Sequence, residues 1–270
     1  MNSINTNMGA MVALRNMSSI NSDLAGVQNR VSTGLKVSSA TDDGAAFAVA
    51  QGLRGDIKAY ESVNEQLSLA KGTVSVALEA STQISDTLND LQSTLTKLAD
   101  ENVTGDARTQ YNADYVAIQT ELTNYVANAE FNGTNLLQTA STDVDVVSNV
   151  DGSSYTISAQ DLQTSIAALA GAPADAAAAA TALGGALGTA QTAANNALNG
   201  LAADSKRLDN QISFNSAVSD ATEAGLGAIV DADLAKESAR LQALQTKQQL
   251  AVQTLSMANQ APSSLLGLFR

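Results

Sequence analysis

Few side chains in this 270-residue chain could carry chemistry. Cys and His are absent. That removes thiol nucleophiles, thiolate metal sites, the commonest transition-metal ligand and the usual general base. A Ser–His–Asp triad and the His-based metalloprotease motifs are therefore impossible. What remains is carboxylate, phenol and amide. Asp42-Asp43 could hold a cation, but a lone carboxylate pair ahead of a helix is the usual form of an N-terminal cap. Tyr111, Tyr115 and Tyr125 recur at helical spacing, which favours packing over ligand stacking. Asn132-Gly133-Thr134 and Asn102-Val103-Thr104 fit the N-glycosylation sequon, yet Asn-Gly is first of all a turn signal. A hydrolase built on carboxylates alone would need two of them across a cleft, and slender helices offer none.

The elements that would position these groups are mostly helices. Ala10, Leu14, Met17, Leu24, Val31 and Leu35 fall at alternating spacings of three and four if Asn21 and Gln28 fill the remaining slots. Leu234, Leu241, Leu244, Ala251, Leu255 and Ala258 do the same, with Glu237 and Gln248 in the gaps. Each series is the narrow apolar seam of a coiled coil. The first helix is expected from about Asn5 to Thr33, stopped by Gly34. Ile57, Tyr60, Leu67, Val74, Ile84, Leu88, Leu91, Leu95 and Leu98 predict a second helix from about Ala45 to Asp100, ~80 Å at 1.5 Å per residue. A shorter amphipathic helix follows through Tyr111, Tyr115, Ile118, Leu122, Tyr125 and Ala129, broken at Phe131-Asn132-Gly133. Val144, Val146 and Val147 oppose Tyr155 and Ile157 across Asp151-Gly152 as a hairpin. The segment from Ala172 to Gly185, with five consecutive Ala, reads as an exposed, tolerant stretch. Leu187, Ala190, Ala194, Leu198, Leu201, Leu208, Ile212 and Val218 restore helical period, fading at Gly225 and Gly227. The last helix is expected to end near Pro262.

The fold class is thus mainly α: a long antiparallel helical rod or coiled-coil bundle with a small β-hairpin region and paired N- and C-terminal helices. Hydrophobic residues make up 44% of the chain but aromatics only 3%, which suits slender seams. Charge is unevenly placed. Residues 41–225 carry 7 basic and 23 acidic side chains, a net of −16, and the two ends carry 7 and 4, a net of +3. An acidic middle argues against nucleic acid as a partner. No apolar run approaches the roughly 20 residues of a membrane span. Met1 to Gly9 contains no basic residue and does not form a signal peptide, so the chain is expected to be cytoplasmic or exported by a route that reads no such signal.

Three stretches carry a resemblance. Val31-Ser32-Thr33-Gly34-Leu35-Lys36-Val37-Ser38-Ser39-Ala40-Thr41-Asp42-Asp43-Gly44-Ala45 resembles the signature that follows the first helix of bacterial flagellins. Glu130-Phe131-Asn132-Gly133-Thr134-Asn135-Leu136-Leu137 resembles their segment leading into the hairpin. The run from Val230-Asp231-Ala232-Asp233-Leu234 to Leu265-Leu266-Gly267-Leu268-Phe269-Arg270 resembles their terminal helix. With Asn2 to Asn29, these cover most of residues 1–138 and 187–270.

The resemblance implies a filament subunit, not an enzyme, without cofactor or metal. It implies an inner-core helix at 1–36, a connector at 37–44, a rod domain at 45–181 and 182–225, a second connector at 226–233 and a second inner-core helix at 234–270. Large outer domains common in the family are nearly missing, with Ser141 to Leu183 in their place. It further implies export through the flagellar type III apparatus to an extracellular filament. The implied partners are copies of the chain or other flagellins, an export chaperone, the filament cap and hook-associated proteins. A hook–filament junction protein shares these terminal signatures and is the alternative. In flagellins sensed by the mammalian innate flagellin receptor, the rod presents an Arg and a Leu where this chain aligns Asp90 and Thr94, while Glu121 matches an acidic contact. Weak or absent sensing is the expectation.

Overall fold

The computed structural model describes residues 6–267, with side chains described as far as Gln260. The expectations for Asn2, Asn5, Leu268 and Phe269 lie outside the described residues, as do those for the side chains of Leu265 and Leu266. In chain order the elements are α1 (Met8–Thr33), α2 (Gly44–Leu98), α3 (Gly105–Asn128), β1 (Glu130–Phe131), β2 (Thr134–Asn135), β3 (Val144–Val147), β4 (Ser154–Ile157), α4 (Leu162–Ala167), α5 (Ala176–Gly184), α6 (Ala186–Val230) and α7 (Leu234–Gly267). They group into two compact units, one of residues 1–55 and 221–270, the other of residues 56–220.

Local signals set the helix ends. Asn7 Oδ1 accepts from the Ala10 amide at 3.0 Å to open α1. Gly34, at φ 73°, closes it with a bond to the Arg30 carbonyl. Asp43 caps α2, accepting from the Ala45 and Ala46 amides at 3.0 Å. Asp42 does a different job in the same connector: one of its oxygens accepts from the amides and hydroxyls of both Ser38 and Ser39.

Within the first unit α1 and α7 pair, and the two connectors pair with each other. Leu35 and Asp231 form an antiparallel bridge. The Lys36 amide donates to the Val230 carbonyl and the Ala232 amide to the Gly34 carbonyl at 2.8 Å. Val37, Ala50 and Val230 are buried together, with Phe47, Leu226 and Ile229 packed on them.

Within the second unit the buried stripe of α2 is an uninterrupted alternation of threes and fours: Val63, Leu67, Ala70, Val74, Ala77, Ser81, Ile84, Leu88, Leu91, Leu95, Leu98. The one polar member, Ser81, returns its hydroxyl to the Ala77 carbonyl at 2.7 Å. On α6, Leu187, Ala190, Ala194, Ala197, Leu201 and Leu208 are buried. The polar slots of the same series, Asp204 and Asn215, receive the β3–β4 hairpin. Tyr155 donates its hydroxyl to Asp204, and Arg207 lies over the Tyr155 ring at 3.8 Å. Asn215, fully buried, and Gln211 both donate to the Ser148 carbonyl. The hairpin expected from the sequence is present, its register placing Val144 opposite Ile157 and Val146 opposite Tyr155, while Val147 falls opposite Ser154.

Four expectations need correction. The Ala-rich stretch is α5, capped by Asp175 through the Ala178 amide at 2.7 Å. Its Ala179 is fully buried in the core, because Ala is the best helix former and its small side chain permits close packing. Gly225 and Gly227 do not end α6, which runs on to Val230. Burial of Leu226, Ile229 and Val230 outweighs the roughly 1 kcal/mol that a helical Gly forfeits. The second connector is thus shorter than 226–233. Pro262 does not end α7, which continues to Gly267. Ala197 replaces Leu198 in the α6 stripe, since Ala197 is buried and Leu198 only half-buried.

Candidate assembly interface

The α1–α7 pair is where the candidate residues converge. On α7 the inward positions are Glu237, Leu241, Leu244, Gln248, Ala251, Leu255 and Ala258, half-buried or buried at alternating spacings of four and three. This is the phase read from the sequence, except that Leu234 at its start is 49% exposed.

On α1 the phase is different. Ala10, Met17, Leu24 and Val31 face inward and are half-buried, but the slots between them are Ala13, Ile20 and Val27 rather than Leu14, Asn21 and Gln28. Val27 is fully buried, whereas Leu14 is 57% exposed. The inward series Ala10, Ala13, Met17, Ile20, Leu24, Val27, Val31 contains no polar break. Leu35 is half-buried in the bridge to Asp231, past the end of α1.

The polar groups sit at the rim of this seam and meet each other. Arg30 Nε donates to Glu237 Oε2 at 3.1 Å. Gln248 Nε2 donates to Asn21 Oδ1 at 2.8 Å. Asn7 Nδ2 donates to the Ala258 carbonyl at 2.7 Å. Gln28 has no place in the pair; it lines a shallow groove with Ala25, Gly26, Asn29 and Ser32. The outward faces are apolar as well. Met8, Met11, Val12 and Leu14 on α1, and Leu250, Val252 and Met257 on α7, are all exposed. An isolated soluble domain rarely groups so many large apolar side chains on one small pair of helices.

The remaining candidates lie in the second unit and have local explanations. Asp90 is exposed on α2. Thr94 is not on a free face: it is only 7% exposed. Glu121 is exposed and accepts from the Tyr125 hydroxyl at 2.7 Å; that bond, with burial and the nearby carboxylate behind it, raises the Tyr125 phenol above its usual range. Tyr115 is buried, donating to the Leu169 carbonyl at 2.7 Å. The Asp42-Asp43 carboxylates are occupied in turn and cap. The Ser38 hydroxyl, then the Ser38 and Ser39 amides and the Ser39 hydroxyl, hold the Asp42 carboxyl below the ordinary range. Among the described residues no group of three acidic side chains is placed to hold a metal ion. No helix among them is long and apolar enough to cross a membrane.

What the α1–α7 pair presents is two packed helices with exposed apolar outer faces. Comparison with known proteins agrees with that. The bacterial flagellin N-terminal helical region matches residues 4–142 and the bacterial flagellin C-terminal helical region matches residues 174–269. Flagellin FljM of Caulobacter vibrioides is 39% identical over all of this chain and 99% of its own length. A flagellin of Brucella melitensis is 35% identical over the full length of both. The crystal structure of Bacillus cereus flagellin aligns with a TM-score of 0.52 at 20% identity, covering 56% of this chain and 88% of that one. This last likeness speaks to the fold.

Proposed function

The chain belongs to the bacterial flagellin family and is a structural subunit of the extracellular flagellar filament, and we propose that its α1–α7 pair is the part that copies of the chain bury against one another. The observation that carries this is the exposure of Met8, Met11, Leu14, Leu250 and Met257 on the outside of a pair whose inside is already filled. Heterologous contact, one patch against a different patch, generates an open helical polymer.

Folding of the ends is coupled to that assembly. Ordering roughly 60 terminal residues opposes folding by about 1–2 kcal/mol each. The narrow seam between α1 and α7 returns only ~25 cal/mol for each Å² it buries. Neighbouring copies add buried area to backbone that is already ordered, so the pair gains stability by polymerising. Residues 1–36 and 234–270 are proposed as the inner core of the filament and the second unit as its rod. The partners proposed are an export chaperone that shields the sticky faces, the filament cap and hook-associated proteins, with export by the flagellar type III route. Similarity at 38–39% to four flagellins of one organism supports filaments of mixed flagellins as well as uniform ones. Full-length similarity to flagellins favours this reading over that of a hook–filament junction protein.

Electron microscopy of the purified chain tests the proposal. Long filaments should form above a threshold concentration. The variant Met11→Ser, Leu14→Ser, Met257→Ser should keep the helical content of the rod but form none. Filaments of normal length from that variant would remove the outer faces from the interface.

A further inference from the structure

We infer that Asn132-Gly133 is a site of spontaneous backbone modification, in which the Asn side chain closes on the Gly133 nitrogen. The chain has two Asn-Gly pairs, Asn132-Gly133 and Asn199-Gly200. Both Asn residues are exposed, so access to water does not separate them. The backbone does. Asn132 and Gly133 form the two-residue loop between β1 and β2, with Phe131 paired to Thr134 and Glu130 to Asn135. Their φ angles are 51° and 80°, the type I′ turn. The Gly133 amide is at the loop tip, outside that pairing, and no Cβ shields it: nothing stands within 4 Å of where one would be. Gly200 instead lies inside α6, where its amide belongs to the helical ladder and ring closure must wait for that helix to open.

The step balances without a co-reactant other than water. The Gly133 nitrogen attacks Asn132 Cγ and forms a new C–N bond. The bond from Cγ to the side-chain nitrogen breaks, and ammonia leaves carrying the proton from the Gly133 amide. The product is a five-membered cyclic imide. Water then opens it at either carbonyl, giving aspartate or isoaspartate at position 132. No electrons are transferred.

The position gives the isoaspartate product a structural consequence. Isoaspartate routes the chain through Cγ and lengthens by one atom a loop whose register depends on having two residues. Phe131, directly before it, is packed against Gly72 of α2. The longer loop loosens β1 against β2 and releases the Phe131 ring from α2. That the product accumulates with age, in a subunit not replaced in place, rests on the filament reading; the chemistry does not.

The test uses the full-length chain, incubated folded and in denaturant in mildly alkaline buffer and followed by peptide mapping that separates aspartate from isoaspartate. In the folded chain Asn132 should convert roughly tenfold or more faster than Asn199, a barrier difference of about 1.4 kcal/mol or more, and in denaturant the two rates should converge. The converted chain should exchange its amides faster at residues 130–135. Asn132 remaining as intact as Asn199 in the folded chain, while both convert in denaturant, would overturn the site. Unchanged exchange at 130–135 in chains carrying isoaspartate would overturn the loosening. Neither outcome depends on whether filaments form.

Discussion

Phe131 occupies the space that a side chain at Gly72 would need: a Cβ built there stands 2.9 Å from Phe131 Cζ and 3.0 Å from Cε1. Gly72 lies deep within α2, where Ala would ordinarily stabilise the helix by about 1 kcal/mol. Here overpacking opposes that gain by about 1–3 kcal/mol. Gly72→Ala should therefore lower the urea midpoint of the rod. In a Phe131→Ala background the clash is gone and the same substitution should raise it. A sign that does not reverse between the two backgrounds would mean that the ring does not confine position 72.

Arg30 and Glu237 bridge the rim of the α1–α7 seam with side chains 28% and 14% exposed. A partly screened pair of this kind contributes about 1 kcal/mol. Glu237→Ala should raise the critical concentration for filament growth roughly fivefold. Exchanging the charges, Arg30→Glu with Glu237→Arg, should recover much of the loss. Sedimentation of polymer against monomer reads both.

Two titrations bracket the stability of the subunit. Asp42 has a folded pKa below its ordinary 3.8, chiefly through the Ser38 hydroxyl and then the Ser38 and Ser39 amides. A depressed carboxyl stabilises the fold above its unfolded pKa and ceases to as pH falls through the folded value. Amide exchange at Ser38 and Ser39 should quicken only below that ordinary value, and Asp42→Asn should remove the dependence. Tyr155 is the opposite case. Burial, then its bond to Asp204, pushes the phenol up to about 12 from 10.0. Its contribution is complete below pH 10.0 and is lost as pH rises through about 12. Phenolate absorbance in the wild type, compared with Tyr155→Phe, should place the ionisation there and coincide with release of the β3–β4 hairpin.

Asp90 is the exposed member of the pair aligned with the receptor-sensed positions. An acidic side chain where sensed flagellins carry Arg reverses a contact charge. The wild-type chain should be a poor agonist in cells reporting the mammalian innate flagellin receptor. Asp90→Arg should raise its potency, whereas Thr94→Leu should act mainly on rod stability because Thr94 is buried. Strong activity of the unmodified chain would end this idea.

The α7 phase was legible because Leu241, Leu244, Ala251, Leu255 and Ala258 keep one unbroken spacing, and the β3–β4 hairpin because two β-prone runs flank Asp151-Gly152. The α1 phase was not, for a physical reason. Leu14 and Leu35 are more apolar than Ala13 and Gly34, so a series anchored on them draws Asn21 and Gln28 into the seam and passes over Ile20 and Val27. Positions that an isolated helix would keep polar are apolar here: Met8, Met11, Val12 and Leu14 are all exposed. Docking of the hairpin on Asp204, Arg207 and Asn215 was also hidden, since these partners are 49–67 residues apart from Tyr155 and Ser148 and no local spacing links them. Exposure of Asp90 against burial of Thr94 depends on what covers each turn of α2, which periodicity alone blurs.

The bond from Asn7 to the Ala258 carbonyl joins residues 251 positions apart. Closing so long a loop is entropically unfavourable and kinetically slow. α1 is thus among the last elements to find its partner, since α7 lies so far along the sequence. Separating the two halves of one seam by most of the sequence leaves α1 without its partner until α7 is available to it.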